Sequence, residues 1–238
     1  ANWLDNEEKQ ALKAMIDRER EHAAIVPASP RSTLREVLTP AVLMYTLAYF
    51  CLTNTLSAIN IWTPQILQSF NTGSSNIMIG LLAAIPQFCT IFGMIWWSRR
   101  SDRRKERKMH TILPYLFAAA GWLLASATHH SLIQLIGIIM ASVGSFTAMA
   151  IFWTTPDRVI SLQSRAVALA VINAIGNVGS AVSPLLIGIL RDTTGSFSSG
   201  LWFVAGLLIV GALVLTRIPM SQREDAAAAP GLAAQKGH

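Results

Sequence analysis

The sequence predicts an all-α polytopic membrane protein, with six transmembrane helices arranged as two inverted three-helix repeats. The first observation is composition: of 238 residues, 52% are hydrophobic and only 13% charged, where a soluble domain carries about a quarter charged residues. The second is where the charges are missing. No Asp, Glu, Lys or Arg occurs between Val37 and Ser98, Met109 and Pro156, Ala166 and Leu190, or Thr193 and Thr216. A helix needs roughly 20 mostly apolar residues to cross a bilayer core, and those windows hold six. The third is that polar residues inside the spans recur in the order polar, polar, apolar, then again polar, polar, apolar. Three is an odd number of crossings, so two such units must have opposite topology.

The chain opens Ala-Asn-Trp-Leu, with neither an initiator Met nor a signal peptide, and reads as starting mid-protein or trimmed. From Asp5 to about Glu21 the pattern is a soluble amphipathic helix. Asp5 and Glu8 fit a capping box, and Leu12, Met15 and Ile16 make one apolar stripe. Pro27 and Pro30 mark a linker, so residues 1–33 form a cytoplasmic loop region. Residues 34–218 form the transmembrane domain, with spans over Pro40–Ile61, Ile77–Trp97, Thr111–Thr128, Leu132–Trp153, Ala166–Leu190 and Leu201–Ile218. Residues 219–238, with the alanine run Ala226–Ala229, read as a disordered cytoplasmic tail.

Orientation follows from the connections. The second carries Arg99, Arg100, Arg103, Arg104, Lys105, Arg107 and Lys108, and the fourth Arg158 and Arg165. The first and third carry no Lys or Arg, and in the fifth Arg191 is balanced by Asp192. Basic connections stay in the cytoplasm, which places both ends of the chain inside. The net charge of +6 therefore reads as topogenic, and no nucleic-acid partner is expected. Cys51 and Cys89 lie in apolar stretches without metal or redox spacing; no metal or cofactor is expected.

A polar side chain in hydrocarbon turns towards protein or a water-filled cavity. On the first span Tyr45, Thr46, Tyr49, Thr53, Ser57 and Asn60 fall within an arc of about 120° at helical spacing. That stripe is read as a cavity wall, helix–helix hydrogen bonding being the alternative. On the fifth span Asn173, Asn177 and Ser180 share a side, with small pairs Gly176/Ser180 and Gly179/Ser183 for close helix approach, and Pro184 beyond. Two asparagines in low dielectric bring donors and acceptors that favour a ligand, structural hydrogen bonding being the alternative. The fourth span offers Ser142, Ser145, Phe146, Met149 and Trp153, and the second Pro86 with Gln87. The third and sixth are apolar at their centres, with Trp122 and Trp202 read as lipid-facing or packing residues.

A six-span unit with this repeat resembles one half of a major facilitator superfamily transporter, namely its C-terminal domain. The stretch from Ser98 through Asp102, Arg103 and Arg104 to Lys105 is similar to that superfamily's cytoplasmic loop motif G-x-x-x-D-R-x-G-R. Ser98 and Lys105 stand where its glycines would be. The resemblance makes Asp102, Arg103 and Arg104 a cytoplasmic gating motif, a merely topogenic loop being the alternative. Gly188, Asp192 and Gly195 echo the motif on the opposite side. More specific likenesses are to the anion:cation symporter family of tartrate and sugar-acid permeases. They lie in Trp3-Leu4-Asp5-Asn6-Glu7-Glu8-Lys9, in Trp62-Thr63-Pro64 ending the first span, and in Ala168–Gly179 continuing to Pro184 and Gly188. That last stretch resembles the family's eleventh helix, whose asparagine face borders the substrate.

The resemblance implies that Tyr49, Thr53, Ser57, Trp153, Asn173 and Asn177 line one side of a central cavity and hydrogen-bond a small organic anion. It also implies proton coupling and a missing N-terminal six-helix half. In that family carboxylates carry the coupling and arginines, largely from the other half, meet the substrate's charge. Apart from Arg217 in the last turn of the sixth, none of the six spans holds an ionisable carboxylate or an arginine. The expected function is secondary active, proton-coupled transport across the cytoplasmic membrane. One alternative is a complete six-helix transporter or channel acting as a dimer. The other is a membrane-embedded enzyme, for which the adjacent His129 and His130 lack a partner at metal-ligand spacing.

Overall fold

The computed structural model describes residues 9, 10, 12–15, 17, 38–70, 73–104, 106–128, 130–156, 159, 160 and 164–218. Its membrane part is six helices: α1 (Pro40–Phe70), α2 (Asn76–Arg104), α3 (Lys108–Ser126), α4 (Ser131–Phe152), α5 (Arg165–Thr194) and α6 (Ser198–Arg217). All six are long and apolar enough to cross a membrane. Among the described residues there is no strand. Those described between 9 and 17 are helical, with Leu12 and Met15 exposed. The rest of the expected N-terminal region, and the expected tail from 219 on, lie outside the described residues.

Three helices are longer than the apolar windows. α1 starts with Pro40 in its first turn, where a missing N–H is harmless. It then runs past Trp62-Thr63-Pro64 for two more turns, because Ile66 and Leu67 are buried and anchor it. α2 runs on to Arg104, so the basic motif is the last turns of a helix and not a loop. α5 continues to Thr194, where Gly195 takes φ 71° and its N–H caps the Arg191 carbonyl. Only glycine adopts that conformation cheaply, which gives Gly195 a helix-stop role.

The packing has internal symmetry. α1 packs on α5 as α2 packs on α4, α3 meets α6, and α1 meets α4. Exchanging α1 with α4, α2 with α5 and α3 with α6 maps these contacts onto one another, as two inverted triplets require. Exposure does not follow apolarity, however. Within the most apolar stretch of each helix, 17% of α2 and 28% of α5 are buried, against 56% of α3 and 44% of α6. The apolar α3 and α6 are not the outward helices: they pack on each other, and Trp122, of its two readings, is a packing residue, fully buried. Trp202 is exposed. In a membrane an apolar side chain meets lipid and protein on equal terms, so apolarity does not distinguish the two.

Close contact is set by small residues. Across α3 and α4, a Cβ on Gly121 would stand 2.6 Å from the Gly137 carbonyl oxygen, and one on Gly144 2.6 Å from that of Pro114. Across α1 and α5, a Cβ on Gly179 would stand 2.5 Å from Thr53 Oγ1 and 2.6 Å from Asn54 Nδ2. These helices touch backbone to backbone, as membrane helix pairs do when dispersion and not hydrophobic exclusion binds them.

Two prolines are accommodated by donors from a neighbouring helix. Pro184 offers no N–H to the Ser180 carbonyl four residues back, and Ser57 Oγ of α1 donates to that oxygen at 2.8 Å. Pro114 likewise leaves the His110 carbonyl, which accepts from Trp97 Nε1 of α2 at 2.9 Å. We therefore expect Ser57→Ala to cost roughly 1–2 kcal/mol, read as a lower thermal midpoint in detergent. In a Pro184→Ala background the restored amide should remove most of that cost. An equal cost in both backgrounds would show that Ser57 acts elsewhere.

Candidate functional site

The candidate site lies where α1, the end of α4 and α5 converge, on the side of the membrane where α1 and α5 begin. Tyr49 sits ten residues into α1, and Trp153 is the C-cap of α4. Asn177 lies roughly 18 Å along α5, at 1.5 Å per residue. The Tyr49 ring stacks on Phe152 at 5.3 Å between centroids and meets Trp153 edge-on at 4.9 Å. Tyr45 supports the cluster edge-on against Phe152. Its ring held on two sides, Tyr49 brings its hydroxyl near the side chains of Trp153 and Asn177. Gly176 makes this possible, since any Cβ there would enter the Tyr49 ring.

Asn173 and Asn177 are exposed on the body of the domain, one helical turn apart. Asn177 Nδ2 donates to the Asn173 carbonyl at 2.9 Å and to the Asn173 side-chain oxygen. The Asn177 side-chain oxygen and the Asn173 amide hydrogens, one acceptor and two donors, are not used in that pair. Ser180 Oγ turns back to the Asn177 carbonyl.

The other expected contacts are differently placed. Thr53 is buried and its hydroxyl donates to the Gly176 carbonyl at 2.6 Å. Ser57 is buried on the Ser180 carbonyl. Over this stretch the polar stripe of α1 is a helix–helix seam, as the alternative reading of the stripe had it, because α5 approaches too closely for an open space between them. Thr46 is also buried, on the Val42 carbonyl, whereas Asn60 is exposed. On α4, Ser145 belongs to a buried network: Trp122 Nε1 donates to Thr55 Oγ1 at 2.8 Å, and that hydroxyl pairs with Ser145 Oγ at 3.3 Å. The sequence marks Trp122 only as a lipid-facing or packing residue and does not single out Thr55, and nothing in spacing could pair residues on two helices. Of the six expected contacts, Tyr49, Trp153, Asn173 and Asn177 form one group, while Thr53 and Ser57 support it from behind.

The basic motif ends α2. Asp102 Oδ1 lies 2.6 Å from Arg107 Nη2, and Arg107 Nη1 donates to the buried Ser101 hydroxyl at 3.1 Å. Arg107 is the N-cap of α3, so Asp102 ties the end of one helix to the start of the next and brings negative charge to a helix N-terminus. Asp102 is 62% exposed, and solvent keeps such a pair weak. Arg103 and Arg104 are exposed.

Neutral donors and acceptors beside two aromatic faces suit the oxygen-rich surface of a small polyhydroxylated or carboxylated molecule. Such groups can orient a ligand by hydrogen bonds but bring no charge to it.

The Major Facilitator Superfamily model matches residues 3–184. A protein of Agrobacterium vitis that carries the provisional name of tartrate transporter is 35% identical over 214 residues, 90% of this chain and 46% of the relative. The quinolone resistance transporter of Acinetobacter baumannii is 33% identical over 223 residues, 93% of this chain and 50% of its own. A protein of Escherichia coli K12 provisionally named as a galactarate/D-glucarate transporter is 31% identical over 154 residues, 60% of this chain and 33% of its own. The chain thus spans about half the length of the curated relatives it matches best in extent. These relatives are transporters by name, not enzymes. With its six membrane helices in two inverted triplets and a family match over most of its length, the chain belongs to the major facilitator superfamily.

Proposed function

We propose that this chain is the C-terminal half of a secondary active transporter, with a second six-helix half completing it. It carries a small organic anion, a sugar acid or dicarboxylate, across the cytoplasmic membrane by proton-coupled symport and alternating access. The supporting observation is the exposed Asn173–Asn177 pair, with Tyr49 and Trp153 beside it, on a face of the domain open to a ligand. Relatives named for tartrate and for galactarate or glucarate support the same substrate class. Both ends of the chain are cytoplasmic in this reading, with residues 1–33 as the loop between halves and 219–238 as a tail. Thr53 and Ser57 hold α5 in place, while Asp102, Arg103 and Arg104 act in gating at the cytoplasmic face. Charge neutralisation and proton transfer fall to the other half.

The quinolone relative supports a second reading, outward transport of a drug-like carboxylate. The full-length protein in liposomes separates them. Under an inward proton gradient, radiolabelled tartrate, galactarate or glucarate should accumulate and a protonophore should abolish the accumulation. Gradient-driven movement of a quinolone without uptake of any acid would sink the symport reading.

A further inference from the structure

Beyond transport, we propose that the domain has a specific site for one anionic phospholipid. The headgroup phosphate binds Arg99 and Arg100, and one acyl chain lies in the groove between α2, α3 and α4. The groove has a volume of about 510 Å³ and is lined by Trp96, Trp97, Leu113, Leu116, Phe117 and Thr147, within the range of roughly 300–1,000 Å³ typical of ligand pockets. Trp96 also lines a second depression of about 400 Å³, formed with Phe92, Ile95 and four arginines, Arg99, Arg100, Arg103 and Arg104.

Helical spacing makes this one surface. Phe92, Trp96, Arg99, Arg100 and Arg103 follow at i, i+4, i+7, i+8 and i+11 along α2. The lower half of that face is hydrocarbon and the upper half is cationic, which is the profile of a phospholipid entering from a leaflet. Among the described residues, none of these four arginines has a carboxylate within ion-pair distance; the neighbouring Asp102 is taken by Arg107. Arg100 lies over the Trp96 ring at 5.9 Å, so the aromatic ring sits at the boundary between chain and headgroup, where tryptophan is favoured. Guanidinium matches a phosphate with paired parallel hydrogen bonds. Deeper in, Thr147 is buried on the groove wall, and its hydroxyl has no partner among the described residues. It can donate to a glycerol ester carbonyl. A soluble anion would leave the groove empty, and a zwitterionic phospholipid, whose ammonium offsets its phosphate, would bring no net negative charge to the four arginines.

The test is native mass spectrometry on the full-length protein, delipidated in mild detergent and titrated with palmitoyl-oleoyl phosphatidylglycerol. Phosphatidylcholine with the same chains, and glycerol 3-phosphate, are the controls. Phosphatidylglycerol should bind at least tenfold more tightly than phosphatidylcholine, and glycerol 3-phosphate should not compete. Each arginine near the leaflet surface contributes roughly fivefold, so Arg99→Gln with Arg100→Gln should erase the preference. The Arg→Lys pair should retain most of it, which also guards against a folding defect in the double variant. Leu116→Trp, which fills the groove, should weaken both lipids. Equal binding of the two lipids would overturn the proposal, as would competition by glycerol 3-phosphate, which would mark a soluble-anion site. So would indifference to Leu116→Trp, the result expected if the other half of the transporter covers the groove.

Discussion

Replacing Gly179 with alanine should destabilise the domain by about 3–5 kcal/mol, although it adds a single methyl group. That methyl would stand 2.5 Å from Thr53 Oγ1 and 2.6 Å from Asn54 Nδ2, and would press on the Phe50 carbonyl. Overpacking by itself costs about 1–3 kcal/mol. Here the relief available is for α1 and α5 to part, and parting lengthens the bonds from Thr53 to the Gly176 carbonyl and from Ser57 to the Ser180 carbonyl. Each of those adds about 1 kcal/mol, and proteins have only about 5–15 kcal/mol of stability in all. The expected observation is a large fall in thermal midpoint, or loss of monodisperse protein on extraction. Gly206→Ala is the control, because nothing lies within 4 Å of its Cβ position. There the better helix propensity of alanine should leave stability unchanged or raise it by up to about 1 kcal/mol. Equal behaviour of the two variants would show that the seam is not tight.

Asn177→Leu should have the opposite signature, with intact stability and failed transport. Its side chain is exposed, so its replacement removes no packing from the core. A hydrogen bond to a charged ligand contributes about 1.5–3 kcal/mol, so kcat/KM for uptake of the organic acid should fall roughly 10- to 100-fold. Asn173→Ala should lose at least as much, because Asn173 also orients Asn177. Thr53→Ala should lower the thermal midpoint while leaving the apparent affinity for substrate near normal, since its hydroxyl is engaged within the protein. Initial uptake rates and melting curves on the same preparations separate the two classes. Unchanged uptake in both asparagine variants would remove them from the site.

Much of the architecture was legible because charge is so costly in hydrocarbon. The four uncharged windows located six helices and their approximate centres. Their ends were less legible, for two reasons. A proline such as Pro64 does not stop a membrane helix whose next turn is anchored by Ile66 and Leu67. A run such as Arg99–Arg104 can finish a helix from outside the hydrocarbon. Periodicity placed Tyr49, Thr53 and Ser57 correctly on one face of α1, but a period names a face and not what it meets. The face turned out to meet α5, at a distance set by Gly176 and Gly179. Asn173 and Asn177 share an exposed face for the same periodic reason, with no helix of this domain covering them. Trp122 shows the other limit: its partner, Thr55, is on another helix, and a one-dimensional pattern has no means of pairing them.

The two prolines met by cross-helix donors have a consequence for the history of the sequence. Pro184 is tolerable because Ser57 serves the carbonyl it leaves behind, and Pro114 because Trp97 does the same. Positions 57 and 184 should therefore vary together among relatives, as should 97 and 114, although neither pair is adjacent in the chain. The order of change is constrained as well. A proline can arrive without penalty only where the donor already stands, and the donor is free to drift only after the proline has gone. Each pair behaves as a ratchet, in which one substitution sets the terms on which the other can be reversed.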